Sequence, residues 1–240
     1  MLLQAILIQR IIIVLLVQIW PIFYGSYFAY KLLKRAKNRA IYTLSAFFIL
    51  LSLAYFFASF SVFTINTPIS YFIYINGIFC FVFGHCFFII FSWVLAKLDE
   101  KSPNWKFFMI VILYGITSTF VYWIGFGFNG IMYDSSTYWI PTYSLYFLVF
   151  SWIIFLFLLI IPQIYFSFRL LKIFEGVILR RRIYMFLISA FLELTVVFAL
   201  FLYNTWVENQ IYRMLYILTV PEISTIAAFL IYKSFGEELD

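Results

Sequence analysis

Glu193, Glu222 and His85 are the residues whose types and placement could do chemistry, because each interrupts a long apolar run at a similar distance from a basic residue. Glu193 lies 11 residues past Arg182, Glu222 lies 11 before Lys233, and His85 lies 12 before Lys97. At ~1.5 Å per helical residue this is roughly 16–18 Å from the basic edge, near the middle of a ~30 Å hydrocarbon core. Gln18, 13 residues before Lys31, reaches nearly the same level. A lone ionisable group there costs at least ~2.5–3.5 kcal/mol, so it normally faces the bundle interior and finds a partner. Three on separate helices point to a shared polar site able to hold a small ligand, a cation or a proton. The blander reading stays open: each carboxyl keeps its proton, bonds a Ser, Thr or Tyr, and only ties helices together. His85, beside Phe79, Phe81, Phe83, Phe87 and Phe88, equally fits a packed core histidine. It is the only histidine in the chain, so a histidine metal cluster is excluded, and no metal or cofactor is expected.

The stripes around these residues say which helix faces should look inward. Ser189, Glu193 and Asn204 project to similar angles, and Thr219, Glu222 and Thr225 form a slowly drifting stripe at i, i+3 and i+6. The expected ligand or ion site is therefore Glu193, Glu222, His85, Gln18, Thr219 and Thr225. Gly77 and Gly84, seven apart, mark a small-residue face that admits another helix closely, with Ser92 one heptad on from His85. Pro21, Pro162 and Pro221 each free a backbone carbonyl that something nearby must satisfy, and so mark kinks lining a polar cavity. Arg10 and Arg213 fall at the opposite edge, 21 residues before Lys31 and 20 before Lys233. They either snorkel to headgroups or receive an anionic ligand from outside.

These residues need seven membrane helices to position them. Apolar runs over about 11–31, 40–63, 77–96, 107–127, 145–168, 183–203 and 211–232 are each about the ~20 residues that span a bilayer. Of the 16 basic residues, 14 lie in alternate gaps or at their edges. The positive-inside tendency puts that side in the cytoplasm, the N-terminus outside and the C-terminus inside. The expected fold is an all-α, seven-transmembrane-helix bundle, one domain over 1–240, in the plasma membrane. A 66% hydrophobic composition and a mean hydropathy of +1.04 exceed what one soluble core could hide, so lipid covers the rest. The net charge of +6 is then loop charge that fixes orientation and touches anionic lipid, not a nucleic-acid surface. Cys80 and Cys86, six apart within one span, point in different directions and suggest no disulfide. The first run lacks a basic leader and a small-residue cleavage signature, so it reads as a retained helix. The stretch 125–144 reads as an outer connector with interfacial aromatics, or more sharply as a lid over an outward pocket. No metal cluster, exposed Ser-His-Asp arrangement or phosphate loop suggests an enzyme.

The seventh run has Glu222 where a retinal protein needs a Schiff-base lysine, and its one lysine, Lys233, stands at the basic end. The layout resembles the seven-helix sensor region at the N-terminus of many prokaryotic membrane histidine kinases. The resemblance lies in the basic loop 34–39, the long outer loop before the fifth helix, the Arg180-Arg181-Arg182 start of the sixth, and the ending Ala228-Phe229-Leu230-Ile231-Tyr232-Lys233. It implies a receptor-like protein that binds a small ligand or ion and signals through a separate cytoplasmic or membrane partner, since no kinase follows. The chain is also similar to the PQ-loop carriers, through Pro162-Gln163-Ile164-Tyr165 and through Phe28-Ala29-Tyr30-Lys31-Leu32-Leu33-Lys34, which repeats as Phe166-Ser167-Phe168-Arg169-Leu170-Leu171-Lys172. Pro21-Ile22 stands where that family has a first Pro-Gln. This second resemblance implies a small-solute or proton-coupled transporter of 3+1+3 plan. An accessory subunit of a membrane complex is the third possibility.

Overall fold

The computed structural model describes residues 18–35, 38–65, 67–97, 104–174 and 176–236, together with Ile11. Seven helical rods follow one another among them: α1 Ile19–Arg35, α2 Arg39–Phe63, α3 Pro68–Ala96, α4 Asn104–Ser118, α5 Leu145–Ile173, α6 Val177–Thr205 and α7 Gln210–Ile231. Six stretches, those of α2 through α7, are long and apolar enough to cross a membrane, so the chain is an all-α integral membrane protein. The first expected span is described from Gln18 onward, and Arg10 lies outside the described residues.

Helix starts follow local chemistry. Asn38 accepts from the Ile41 N–H (2.8 Å) ahead of α2, Ser144 from Phe147 (3.3 Å) ahead of α5, and Asn209 from Tyr212 (3.0 Å) ahead of α7. Each side chain satisfies an N–H that the first turn leaves unpaired. α3 starts nine residues earlier than its apolar run implies. Two of the polar residues that end the run bond to backbone instead of breaking the helix: Ser70 Oγ donates to the Ser61 carbonyl and Asn76 Nδ2 to that of Phe72, both at 2.7 Å.

Two rods widen locally. After α4 the chain continues through wide turns over Val121–Gly127, and α5 widens over Leu156–Ile160 just ahead of Pro162. Proline has no N–H for the Leu158 carbonyl four residues back, and its ring crowds that carbonyl. The Tyr114 hydroxyl of α4 donates to the Leu158 carbonyl instead, at 3.1 Å, so the lost helix bond becomes a tie between α4 and α5.

α3 is the hub. Its most apolar stretch is 89% buried, against 17% for α4, 28% for α5 and 22% for α7, which turn apolar sides outward. α2, α4, α5 and α6 all pack on α3, α1 packs on α2, and α7 packs on α6. The ring closes where Phe28 of α1 stacks on Tyr232, just past α7, with centroids 4.5 Å apart. The small face of α3 works as its spacing implies: a Cβ on Gly77 would stand 3.0 Å from the Ala54 carbonyl oxygen, and one on Gly84 3.2 Å from Leu50 Cβ. Both neighbours belong to α2, which reaches this close only because the glycines carry no side chain.

The end away from the basic loops is closed by a short hairpin. β1 Ile131–Met132 pairs antiparallel with β2 Thr142–Tyr143, Ile131 opposite Tyr143. Tyr133, between them, is buried in the bundle end, stacks on Tyr74 at 4.9 Å and shares a 3.2 Å hydrogen bond with Ser61 Oγ. Tyr138 and Trp139 occupy the left-handed region (φ 52 and 56) inside a turn closed by the Ile140 N–H donating to the Thr137 carbonyl. Two bulky residues in that conformation store strain, which the Tyr133–Trp139 edge-to-face contact at 5.6 Å helps offset. The expected connector thus carries a paired hairpin anchored in the bundle end by Tyr133.

Candidate functional site

His85 comes from the hub helix α3 and Glu193 from α6, and both side chains are fully buried. His85 Nδ1 lies 2.7 Å from the Phe81 carbonyl oxygen one turn back. A carbonyl only accepts, so Nδ1 carries the hydrogen and Nε2 is left to face Glu193. Nε2 and Glu193 Oε2 are 3.6 Å apart, an ion-pair separation slightly long for a hydrogen bond. Neither atom has another partner among the described residues. Two lone pairs meeting in a dry core repel, so the contact calls for one proton held by the pair. Either an imidazolium faces a carboxylate or a carboxylic acid faces an imidazole. Rings of Phe81 (4.5 Å), Phe47 (5.7 Å) and Phe88 (6.0 Å) wall the imidazole and keep water away.

The other carboxylate oxygen ties in two more helices. Ser224 Oγ of α7 donates to Glu193 Oε1 at 3.1 Å. Its only hydrogen is then used, so the Tyr24 hydroxyl of α1, 3.3 Å from Ser224 Oγ, is the donor in that bond. Tyr55 of α2 faces the same Ser224–Glu193 junction. Glu193 is thus the node of a polar cluster drawing on α1, α2, α3, α6 and α7. Ser189 and Asn204 are buried as their stripe with Glu193 implied.

The other expected members fall elsewhere. Glu222, Thr219 and Thr225 are exposed on the outer side of α7, and Ser224, Ala227, Ala228 and Ile231 are its buried residues. The expectation that Glu193 and Glu222 face one cavity is therefore corrected. The hydroxyls of Thr219 and Thr225 return to their own helix, at 2.8 Å from the Leu215 and Pro221 carbonyls, and the Thr225 hydroxyl also lies beside the Tyr24 phenol of α1, at the edge of the cluster. Small residues instead line the approach of α7 to α6. Gln18 accepts from Ser59 Oγ of α2 at 3.2 Å, and so ties α1 to α2. Arg213 is held at the hairpin end of α6. It donates to the Tyr203 hydroxyl (3.1 Å) and the Val207 carbonyl (3.4 Å), with its guanidinium 4.7 Å from the Tyr203 ring centre.

Reading the sequence missed Ser224, Tyr24 and Tyr55. Ser224 and Ala228, four apart, carried a usable signal as a small-xxx-small pair. A second junction joins Ser92 of α3, whose Oγ donates to Gln163 Oε1 of α5 at 3.1 Å. Gln163 Nε2 is buried without a partner among the described residues, next to Pro162.

Under the hairpin lies a hollow of about 490 Å³, lined in part by Tyr71, Phe126, Tyr133, Asp134 and Trp139. Asp134 closes the turn: Oδ1 accepts from Ser136 Oγ (2.6 Å), the Ser136 N–H (2.8 Å) and the Thr137 N–H (3.3 Å). These bonds, the Ser136 hydroxyl foremost, hold its carboxyl below the usual range.

No family model, curated protein or solved structure matches this chain.

Proposed function

We propose that the chain is a receptor-like membrane sensor whose responding element is the His85–Glu193 pair. In this reading all seven rods span the bilayer, the hairpin end faces outside, and the basic end faces the cytoplasm and a separate signalling partner. The observation that carries it is the buried 3.6 Å contact between His85 of the hub helix and Glu193 of α6. Besides His85 itself, the titratable groups facing Glu193 are Tyr24 and Tyr55, the phenols of α1 and α2.

A change in the proton or in nearby packing alters the α3–α6 contact directly and the α6–α7 contact through Ser224. α7 carries the change onward, because Phe235 in the wide turn after it lies against Phe91 (5.7 Å) of α3 and Phe186 (5.5 Å) of α6 at the basic end. One proton supplies at most ~1.4 kcal/mol per pH unit. Moving a two-state balance from 1:99 to 99:1 takes ~5.5 kcal/mol, so a proton alone gives a graded response over roughly four units. A sharper response requires a small ligand as well, and the hollow beneath the hairpin is the outward opening for it.

A proton-coupled carrier is the second reading, favoured by the buried Gln163 beside Pro162 with its Nε2 unpaired. Reconstitution into vesicles holding a pH-reporting dye separates the two. The sensor leaves the lumen pH of loaded vesicles drifting at the rate of empty ones under an imposed solute or proton gradient. Faster drift that depends on Glu193 establishes the carrier.

A further inference from the structure

The outward face of α7 runs Ile211, Leu215, Leu218, Glu222, Thr225 and Phe229, all exposed. The intervals alternate four and three, the seam spacing along which two helices mesh side chains in a left-handed pair. Glu222 stands on the centre line of that seam, twelve residues after Gln210 and nine before Ile231. The residues that α7 buries in the bundle lie around the other side, so the carboxyl does not turn back inward. Mid-helix placement also keeps so short a side chain from reaching either headgroup layer. No partner for it stands among the described residues, and hydrocarbon offers neither donor nor acceptor.

We propose that this seam is the contact between two copies of the chain, paired about a two-fold axis along the membrane normal with Glu222 facing Glu222. A second copy necessarily brings a carboxyl to the same depth in the same direction, and such an interface closes on itself. A carboxyl carrying its proton offers both a donor and an acceptor, so two face to face satisfy one another. A partner helix bearing Lys or Arg would instead bring a further full charge out of water. Polar contacts of this kind drive helix association where burying apolar surface against lipid gives no net gain.

The full chain, reconstituted at decreasing protein density and labelled for energy transfer between copies, tests the proposal. Wild-type protein should pair, Glu222→Leu should need at least a tenfold higher density to pair, and Glu222→Gln, which keeps a donor and an acceptor, should stay close to wild type. Because Glu222 is outside the core, folding of both variants is checked by thermal unfolding. Independently, Leu218→Cys should form an oxidative dimer, whereas Ile116→Cys on the equally exposed face of α4 should not; the native Cys80 and Cys86 are buried. Monomers at every density, unchanged pairing of Glu222→Leu, or equal cross-linking at both positions overturns the proposal. So does cross-linking of Leu218→Cys in native membranes to a different protein with no self-dimer.

Discussion

His85 Nε2 of α3 and Glu193 Oε2 of α6 face each other at 3.6 Å with no other partner among the described residues, while Phe81 holds the hydrogen on Nδ1. The pair is complete only with one shared proton, which makes the character of residue 193 testable. Glu193→Ala leaves Nε2 facing a void and Ser224 without its acceptor, and should destabilise the bundle by about 2–4 kcal/mol. Glu193→Gln supplies an N–H for Nε2 and keeps an oxygen for Ser224, so its loss should stay under about 1 kcal/mol. Thermal unfolding in detergent measures both. Equal losses in the two variants would mean that the side chain matters only for packing.

The tie between α4 and α5 gives a second outcome. Tyr114→Phe leaves the Leu158 carbonyl without its donor and should cost about 0.5–1.5 kcal/mol. In a Pro162→Ala background the backbone regains an N–H for that carbonyl, and the same change should then cost close to nothing. An unchanged cost in the double variant would show that the hydroxyl is not replacing the bond proline removes.

The apolar helices and the shared level of His85 and Glu193, which meet at 3.6 Å, were legible in the sequence, because apolar runs and their distance from basic anchors depend only on counting along a helix. The rotational setting of α7 was not. Thr219, Glu222 and Thr225 form one candidate inward stripe, while Ser224, Ala227 and Ala228 form another; Glu222 and Ser224 lie about 200° apart around the helix. Polarity favoured the first stripe. Close packing on α6 selects the second, and the threonines satisfy their hydroxyls within their own helix. Tyr24 and Tyr55 gave no local signal in a chain with 19 tyrosines. The early start of α3 was hidden because a hydropathy count stops at polar residues whose side chains in fact bond to backbone.

Asp134 carries a pH dependence at the hairpin. Its carboxyl is held below the ordinary value by the Ser136 hydroxyl and the Ser136 and Thr137 N–H groups. The order it lends to the turn is therefore fully present above the unfolded value of ~3.9 and is lost as pH falls through the lower folded value. Protection from hydrogen exchange across 133–139, taken relative to the intrinsic rate at each pH, should fall only in that acid window, and Asp134→Ala should show the low protection already at neutral pH. An acid loss of protection that persists in Asp134→Ala would place the titrating group elsewhere.

The proposed orientation can be read from either side of the membrane. A cysteine at Gly176, on the exposed turn before α6, should react only with reagent on the cytoplasmic side, and one at Ser135 only with reagent outside. Labelling of the Ser135 position from the cytoplasm would invert the arrangement and put the hollow beneath the hairpin on the wrong face for an external ligand.

The most direct measurement places an environment-sensitive fluorophore at Gly176 in reconstituted vesicles and steps the outside from neutral to about pH 5.5, an interval that spans the value of a free imidazole in water. If the His85–Glu193 proton governs the basic end, emission should shift in the wild type, stay still in Glu193→Gln, and do so with the lumen pH unchanged. No shift in the wild type, or the same shift in Glu193→Gln, would contradict a sensor built on this pair.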